Sequence, residues 1–171
     1  PSEFGNIKDW VRILAQYREP NHLRSCTELS LTIGPFILIW AMAWWSLSTS
    51  YWLSLAISLC NGLFLFRLFV IQHDCGHGAF FKNRNANEWL GRIIGVVTLT
   101  PFDVWRHLHS IHHSTSGNLE RRGFGDVDTL TVAEYRLLPK FNRLIYRLYR
   151  HPIVMFGIGP AFQFLLKHRL P

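Results

Sequence analysis

The sequence lacks charge over a long internal stretch. From Leu29 to Phe66 there are 38 residues without a single Asp, Glu, Lys or Arg, and all 18 basic residues lie outside this stretch. A nucleic-acid-binding domain carries its basic residues on a soluble surface rather than on both flanks of an apolar block, so that class is excluded. A charged side chain at the centre of a bilayer costs about 2.5–3.5 kcal/mol on insertion scales. The pattern is therefore typical of an integral membrane protein.

Cysteines are also few. Cys26, Cys60 and Cys75 are odd in number and far apart, which excludes a disulfide framework. No cleavable signal peptide is predicted, because the first apolar run starts near residue 29 and is too long for a signal sequence. The chain begins with Pro1 rather than Met and ends just after an apolar run, so we expect it to be part of a longer protein.

The uncharged stretch is long enough for two membrane-spanning helices, because one needs about 20 residues. We predict helices at roughly Leu29–Leu47 and Tyr51–Gln72, joined by a turn at Ser46–Ser50. A buried hairpin of a soluble protein would show a polar face, and this one shows none. Basic residues on both flanks and their absence from the turn predict that both ends are cytoplasmic. The aromatic residues around the turn resemble an interfacial belt: Trp40, Trp44, Trp45, Tyr51 and Trp52.

Four further segments are predicted to contact the membrane. Residues 4–19 predict an amphipathic helix on the membrane surface, with a soluble-core helix as the alternative. Leu90–Phe102 is too short to span and is interpreted as interfacial or re-entrant. Pro152–Leu166 predicts part of a third spanning segment, with a re-entrant path as the alternative. Residues 136–150 predict a basic amphipathic helix, with a stripe formed by Arg136, Lys140, Arg143, Arg147 and Arg150.

Five of the nine histidines form two clusters. His73 and His77 have H-x3-H spacing, and His109, His112 and His113 have H-x2-H-H spacing. On a helix, positions i, i+3 and i+4 share one face, so each cluster directs its imidazoles the same way. Neutral imidazole is a good ligand for Fe, Zn, Cu and Ni. The two clusters therefore predict a transition-metal site with five histidine ligands.

The positions of the clusters along the chain suggest that they meet. The first lies where the second spanning helix leaves the membrane, and the second follows the interfacial segment, so both are expected just outside the cytoplasmic surface. The side chains expected to orient the imidazoles through hydrogen bonds are Asp74, His107, Asp126 and Asp128. A single histidine is more often a surface or core residue than a ligand, and we treat three of them as structural: His22, His151 and His168.

Both clusters resemble the histidine boxes of the membrane fatty-acid desaturases. The first is His73-Asp-Cys-Gly-His77-Gly-Ala-Phe-Phe81, and the second is Trp105-Arg-His-Leu-His109-Ser-Ile-His-His113. The stretch that follows, Ser114–Arg121, is similar to the delta-12 and omega-3 branch in particular. The resemblance implies an all-α, integral-membrane helical bundle, in which a transmembrane hairpin and cytoplasmic interfacial helices carry the boxes. It implies one multi-pass desaturase domain over residues 1–171, with the active site on the cytoplasmic face.

The resemblance also implies the chemistry. Two iron ions, held by the five histidines, would use O2 and two external electrons to convert two methylenes of a fatty-acyl chain into a cis double bond. Ferredoxin or cytochrome b5 would be the acidic electron-donor protein. The family has a third box further along the chain, whereas only His151 and His168 follow Arg121 here. We therefore expect these 171 residues to be the amino-terminal part of the enzyme and inactive alone.

Two alternatives remain at this stage. A related di-iron lipid, alkane, sterol or carotenoid hydroxylase or ketolase would share the boxes and would add oxygen instead of forming a double bond. A membrane metal-binding or metal-transport protein would place histidines along a path inside its spanning helices. The regioselectivity and the acyl carrier have no signature in the sequence.

Overall fold

The structure is a computed structural model that describes residues 7–15, 17, 19–122 and 127–162, and over these residues it contains helices and no strands. Two compact units divide the chain, the first extending to Thr98 and the second beginning at Leu99. The single domain predicted for the whole chain stays a prediction, and the two units are described separately.

The first unit contains four helices: α1 Ile7–Ala15, α2 His22–Ser46, α3 Tyr51–Gly76 and α4 Arg84–Val97. α2 and α3 are the two predicted spanning helices, with 25 and 26 residues. The predicted turn between them is confirmed, and Ser50 caps α3 by accepting a hydrogen bond from the Leu53 amide. α2 begins at His22 rather than Leu29, because Asn21 caps its first turn and the charged residues Arg24 and Glu28 lie within the helix.

The side chains inside the α2–α3 hairpin are mostly small or polar, and those on its outer surface are large and apolar. The Ser54 hydroxyl donates to the Ala43 carbonyl across the hairpin at 2.7 Å. The large aromatic residues point away from it, with Trp45 81% and Trp52 76% exposed. Within the apolar 18-residue stretch of each helix, only 11% of the residues of α2 and 22% of those of α3 are buried. The interior positions are small or polar apart from Leu68 and Ile71: Ser25, Thr32, Ala43 and Ser46 on α2, and Ser54, Asn61, Leu68, Ile71, Gln72 and Cys75 on α3.

This inverted pattern indicates a lipid environment. A core helix of a soluble protein buries its large apolar side chains, whereas helices packed in a membrane approach each other through small residues and leave the large ones to lipid. The predicted membrane helical fold is therefore confirmed, while the cytoplasmic orientation stays a prediction. One ion pair joins the two helices near the histidine-bearing end of α3: Arg67 contacts Glu28 and also donates from Nε to the Thr32 hydroxyl at 2.9 Å.

α4 is the segment predicted to be interfacial or re-entrant, and it is too short to span a bilayer. It runs Arg84–Val97, so it starts earlier than the predicted Leu90 and ends before Phe102. One face, with Asn87, Gly91, Ile94 and Gly95, is buried, and an opposite apolar stripe of Trp89, Ile93 and Val96 is exposed. The helix ends because Leu99 has a left-handed φ of 57° and Pro101 follows.

The second unit consists of short helices. They are α5 Phe102–Thr115, a 3-10 turn at Leu119–Arg121, α6 Val132–Leu137, α7 Lys140–Tyr149, a π-helical turn at Val154–Ile158 and α8 Gly159–Phe162. The predicted continuous helix over 136–150 is wrong, because Pro139 separates α6 from α7 and Leu138 adopts the extended conformation that a following proline favours. The predicted span Pro152–Leu166 is helical as far as Phe162, and the remainder lies outside the described residues.

α7 keeps the predicted amphipathic character. Its apolar residues Phe141, Leu144, Ile145 and Leu148 are all exposed. Two residues of the basic stripe have internal partners, since Arg143 donates to the Leu138 carbonyl and Arg147 donates to the Tyr135 hydroxyl.

Candidate metal centre

The first histidine box occupies the last turn of α3. His73 lies in the helix and is half-buried, and His77 is the exposed residue that ends it. Their ring centroids are 4.6 Å apart, and a ring nitrogen of each lies within 4.8 Å of the other. His73 Nδ1 lies 3.3 Å from the carboxylate of Asp74. Hydrogen bonding of a ligating imidazole to a carboxylate fixes its tautomer and orientation.

A left-handed glycine ends the helix directly after this box. Gly78 has φ +67°, its amide donates to Cys75, and the Ala79 amide donates to Asp74. These two bonds form a Schellman motif, which glycine favours because other residues pay a steric penalty in the left-handed region. The motif turns the chain away immediately after His77 and leaves this imidazole at the helix end.

A buried asparagine then holds the loop. The Phe81 amide donates to Asn87 Oδ1 at 2.8 Å, and Asn87 Nδ2 donates to the Phe81 carbonyl at 2.7 Å. Asn87 is 1% exposed. The reciprocal pair fixes the backbone four residues beyond His77 to the start of α4, so the box is anchored on both sides.

The second box lies on α5. His109 Nε2 and His113 Nε2 are 3.0 Å apart. Trp105 stacks on His109 with ring centroids 4.7 Å apart and an interplanar angle of 15°. The His112 ring is further away, 5.8 Å from His109 and 5.6 Å from His113 by ring centroids, and its Nδ1 is buried. The three rings therefore lie along one side of α5, with His109 and His113 in direct contact.

The spacing within the second box suits a transition metal. Two metal–imidazole bonds of about 2.1 Å at a right angle separate their nitrogens by about 3.0 Å, and His109 and His113 show this separation. The same distance also fits a hydrogen bond between the two Nε2 atoms. A metal bound there would displace the proton that lies between them. An imidazole set suits iron as well as zinc, copper or nickel, and the residues present fit an iron site.

The remaining histidines have other contacts. His22 stacks on Phe81 at 5.9 Å, and His151 Nδ1 accepts a hydrogen bond from the Ile153 amide. The His107 side chain is exposed and its carbonyl accepts a bond from Ser110. His168 lies outside the described residues.

Of the predicted orienting carboxylates, Asp74 contacts a box histidine, and its carboxylate lies 3.3 Å from His73 Nδ1. The Asp128 amide instead donates a hydrogen bond to the Tyr149 hydroxyl at 3.0 Å. Asp126 lies outside the described residues. The meeting of the two boxes in one centre stays a prediction.

The segment after the second box is tied to α6 by an ion pair. Arg122 Nη1 lies 3.1 Å from Glu134 and 2.6 Å from the Thr129 carbonyl. Glu134 also accepts from Thr131 in a capping box at the start of α6. The hydrogen bond from Arg122, followed by those from Thr131, lowers the pKa of Glu134 to about 2. This carboxylate is therefore ionised across the physiological range.

Sequence reasoning missed the residues that hold the boxes in place. Gly78 was detectable as a glycine directly after a helical histidine, and Trp105 as an aromatic residue four positions before His109. The role of Asn87 could not be detected in the sequence, because its side chain binds the backbone of Phe81 in a loop, and any residue has that backbone.

Comparison with known proteins agrees with this geometry. The family described as fatty acid desaturase matches residues 50–171, which include both boxes. A protein named "Fatty acid desaturase" from Bacillus subtilis (strain 168) is 44% identical over 162 residues, covering 95% of this chain and 46% of that protein. No solved structure matches the chain.

Relatives with more specific names match as well. The "sn-1 acyl-lipid omega-3 desaturase (ferredoxin)" of Synechocystis sp. is 29% identical over 85% of this chain and 40% of its own length. The "sn-1 oleoyl-lipid 12-desaturase" of the same organism is 34% identical over 68% of this chain and 32% of its own length. The chain thus spans less than half the length of these three relatives. From the match over residues 50–171, the chain belongs to the fatty acid desaturase family.

Proposed function

We propose that this chain is the amino-terminal part of a membrane fatty-acid desaturase, which introduces a cis double bond into an acyl chain by O2-dependent di-iron chemistry. The observation that carries the proposal is the arrangement of the histidines. Each box presents neighbouring ring nitrogens from a helix, and the first of these helices is a membrane-spanning one. Membership of the desaturase family supports the same reaction.

The iron ligands in this proposal are His73, His77, His109, His112 and His113. Bound iron would supply the activation of O2 that an unactivated methylene requires. The protein's own residues orient the ligands: Asp74 contacts His73, and Trp105 stacks on His109. These contacts restrict ring rotation before a metal binds. We place the two boxes together on the cytoplasmic side, in a single domain, because basic residues flank both ends of the hairpin.

The substrate and electron donor follow from the named relatives. We propose an acyl group carried on a membrane lipid, since two relatives are named acyl-lipid or oleoyl-lipid desaturases. One of them is named for ferredoxin, which supports an acidic donor protein, with cytochrome b5 as the alternative. The basic residues of α6 and α7 would anchor anionic headgroups as their main role and attract the donor as a second one.

Expression of the full-length protein in a host without endogenous desaturase tests the proposal. Acyl chains extracted from the membrane should contain new cis double bonds, and alanine at any of the five histidines should remove them. His151→Ala is the matched control, because this histidine lies outside both boxes, its Nδ1 accepts a hydrogen bond from the Ile153 amide, and its loss should leave the product unchanged.

The outcomes separate the alternatives. Hydroxylated rather than unsaturated acyl chains would identify a hydroxylase, and metal uptake into vesicles without a lipid product would identify a transporter. The amount of iron bound per purified protein is a second measurement, because each alanine variant of a ligand histidine should lose iron whatever the substrate is. Full product formation by His112→Ala or His113→Ala would contradict the ligand assignment.

A further inference from the structure

The first histidine box is bracketed by hydrogen bonds to the two ends of α4. Gln72, the residue directly before His73, accepts a hydrogen bond at Oε1 from the Thr98 hydroxyl at 2.7 Å. Thr98 is the residue that ends α4. Near the start of the same helix, Asn87 binds the backbone of Phe81, which lies beyond the box. The residues on both sides of the box are therefore tied to one helix.

The packing of α4 makes it a rigid brace for the end of α3. Its buried face includes Gly91 and Gly95, and small residues at this spacing let two helices approach closely. α4 packs against α3 within the first unit. Asn87 and Thr98 lie roughly 16 Å apart along α4, at about 1.5 Å per residue. The helix thus holds the residue before the box and the loop after it at a fixed separation.

The amide of Gln72 is unfavourable for stability in one respect. Gln72 is 0% exposed, and its Nε2 is buried without an acceptor in the described part of the chain. Rotating the amide by 180° would exchange its two polar atoms and would leave the other one unpaired. A buried polar atom without a partner costs free energy, which an apolar side chain of similar size would avoid. What the amide provides at this position is the bond to Thr98.

The last turn of α3 benefits from such an anchor. Helix ends open more readily than helix centres, and both histidines of the first box lie at this end. Because adjacent Cα atoms are about 3.8 Å apart, fixing Gln72 restricts the movement of His73. We propose that Gln72 is a positioning residue: its bond to Thr98 holds the last turn of α3 and orients both histidines of the first box before a metal binds. The inference rests on the proposed function only in that these histidines ligate a metal.

Replacing the amide by an apolar side chain of similar length tests the proposal on the full-length protein. Gln72→Met removes both the bond to Thr98 and the unpaired Nε2. Its Tm should equal or exceed that of the wild type, because a threonine hydroxyl in a helix can bond the carbonyl four residues earlier instead. The affinity for Fe(II), measured by anaerobic competition with a chelator, should fall about tenfold, as on loss of other residues that orient metal ligands. A residue with only a structural role would not lower the affinity while leaving Tm unchanged.

Further variants separate this bond from general effects. Thr98→Val removes the donor and should weaken Fe(II) binding as Gln72→Met does, whereas Thr98→Ser keeps a hydroxyl and should bind as the wild type does. Asn61→Leu is the matched control, because Asn61 is also a buried amide on α3, 5% exposed with an unpaired Oδ1. It lies about three turns before the box. This variant should keep or raise Tm and leave the Fe(II) affinity unchanged.

Hydrogen exchange locates the effect without a metal. The His77 amide donates to the His73 carbonyl, and the Ala79 amide donates to the Asp74 carbonyl. In metal-free protein both amides should exchange faster in Gln72→Met than in the wild type, and at the wild-type rate in Asn61→Leu. This measurement tests the positioning role even if the wild-type protein binds no Fe(II), a result that would contradict the proposed function instead.

Several results would overturn the proposal. One is an unchanged Fe(II) affinity of Gln72→Met where the wild type binds Fe(II), and another is unchanged exchange at the His77 and Ala79 amides. An equal loss of affinity in Gln72→Met and Asn61→Leu would also do so. So would a loss of affinity in Gln72→Met that comes with a large fall in Tm, because both results would indicate a general effect on the fold.

Discussion

Replacing Asn87 with alanine should release the loop that follows the first histidine box. Asn87 makes two hydrogen bonds to the backbone of Phe81, of 2.8 and 2.7 Å, and is 1% exposed. Each such bond contributes about 0.5–1.5 kcal/mol net, so the variant should lose about 1–3 kcal/mol of stability. For a chain of this size that corresponds to a fall in Tm of roughly 2–12 °C. Thermal unfolding of the detergent-solubilised protein measures the change.

Asn85→Ala is the matched control, because Asn85 is an exposed asparagine on the same helix. It should change Tm by less than a third of the Asn87→Ala effect. Hydrogen exchange at the Phe81 amide gives a local measurement, since loss of its acceptor should speed exchange there and not in the middle of α3. Equal Tm values for the Asn85 and Asn87 variants, or unchanged exchange at Phe81, would refute the anchoring of the loop by Asn87.

Two further predictions concern the ends of helices. Glu134 has a pKa lowered from 4.5 to about 2 by Arg122 and Thr131, so its stabilising contribution is present above about pH 4.5 and is lost as pH falls through about 2. The stability advantage of the wild type over Glu134→Gln should therefore shrink as the pH is lowered over this interval. An advantage that stays constant from pH 4.5 down to pH 2 would contradict the ion pair. Gly78→Ala should destabilise the protein by about 1 kcal/mol, because φ is +67° there. Gly62→Ala is the control, because Gly62 lies inside α3 with open space around it, and this variant should be neutral or more stable than the wild type. Equal stability changes in the Gly62→Ala and Gly78→Ala variants would contradict the requirement for a left-handed residue at the end of α3.

The spanning helices were predictable because exclusion of charge from lipid is a strong and local signal. Their ends were less so. The prediction started α2 at Leu29 because Glu28 is charged, whereas the helix continues back to His22. Glu28 is tolerated there because Arg67, far away in sequence, forms an ion pair with it. A partner that comes from another helix has no signature in the local sequence.

The histidine boxes were predictable for a different reason. Spacings of three and four residues translate directly into neighbouring side chains on a helix, and the contacts of His73 with His77 and of His109 with His113 follow from that. The break at Pro139 was available in the sequence, but the regular spacing of basic residues outweighed it in the prediction. The loop anchor at Asn87 was not available, because a single long-range polar contact produces no periodicity.

The inverted interior of the hairpin has a thermodynamic consequence. Where the helices meet through Thr32 and Ser54, separating them within a bilayer exposes little apolar surface to water. Apolar hydration is the main source of the heat-capacity change of unfolding and hence of the curvature of stability with temperature. The contact between α2 and α3 should therefore have a small heat-capacity change, and its strength should vary almost linearly with temperature and should not decline on cooling as a hydrophobic core does.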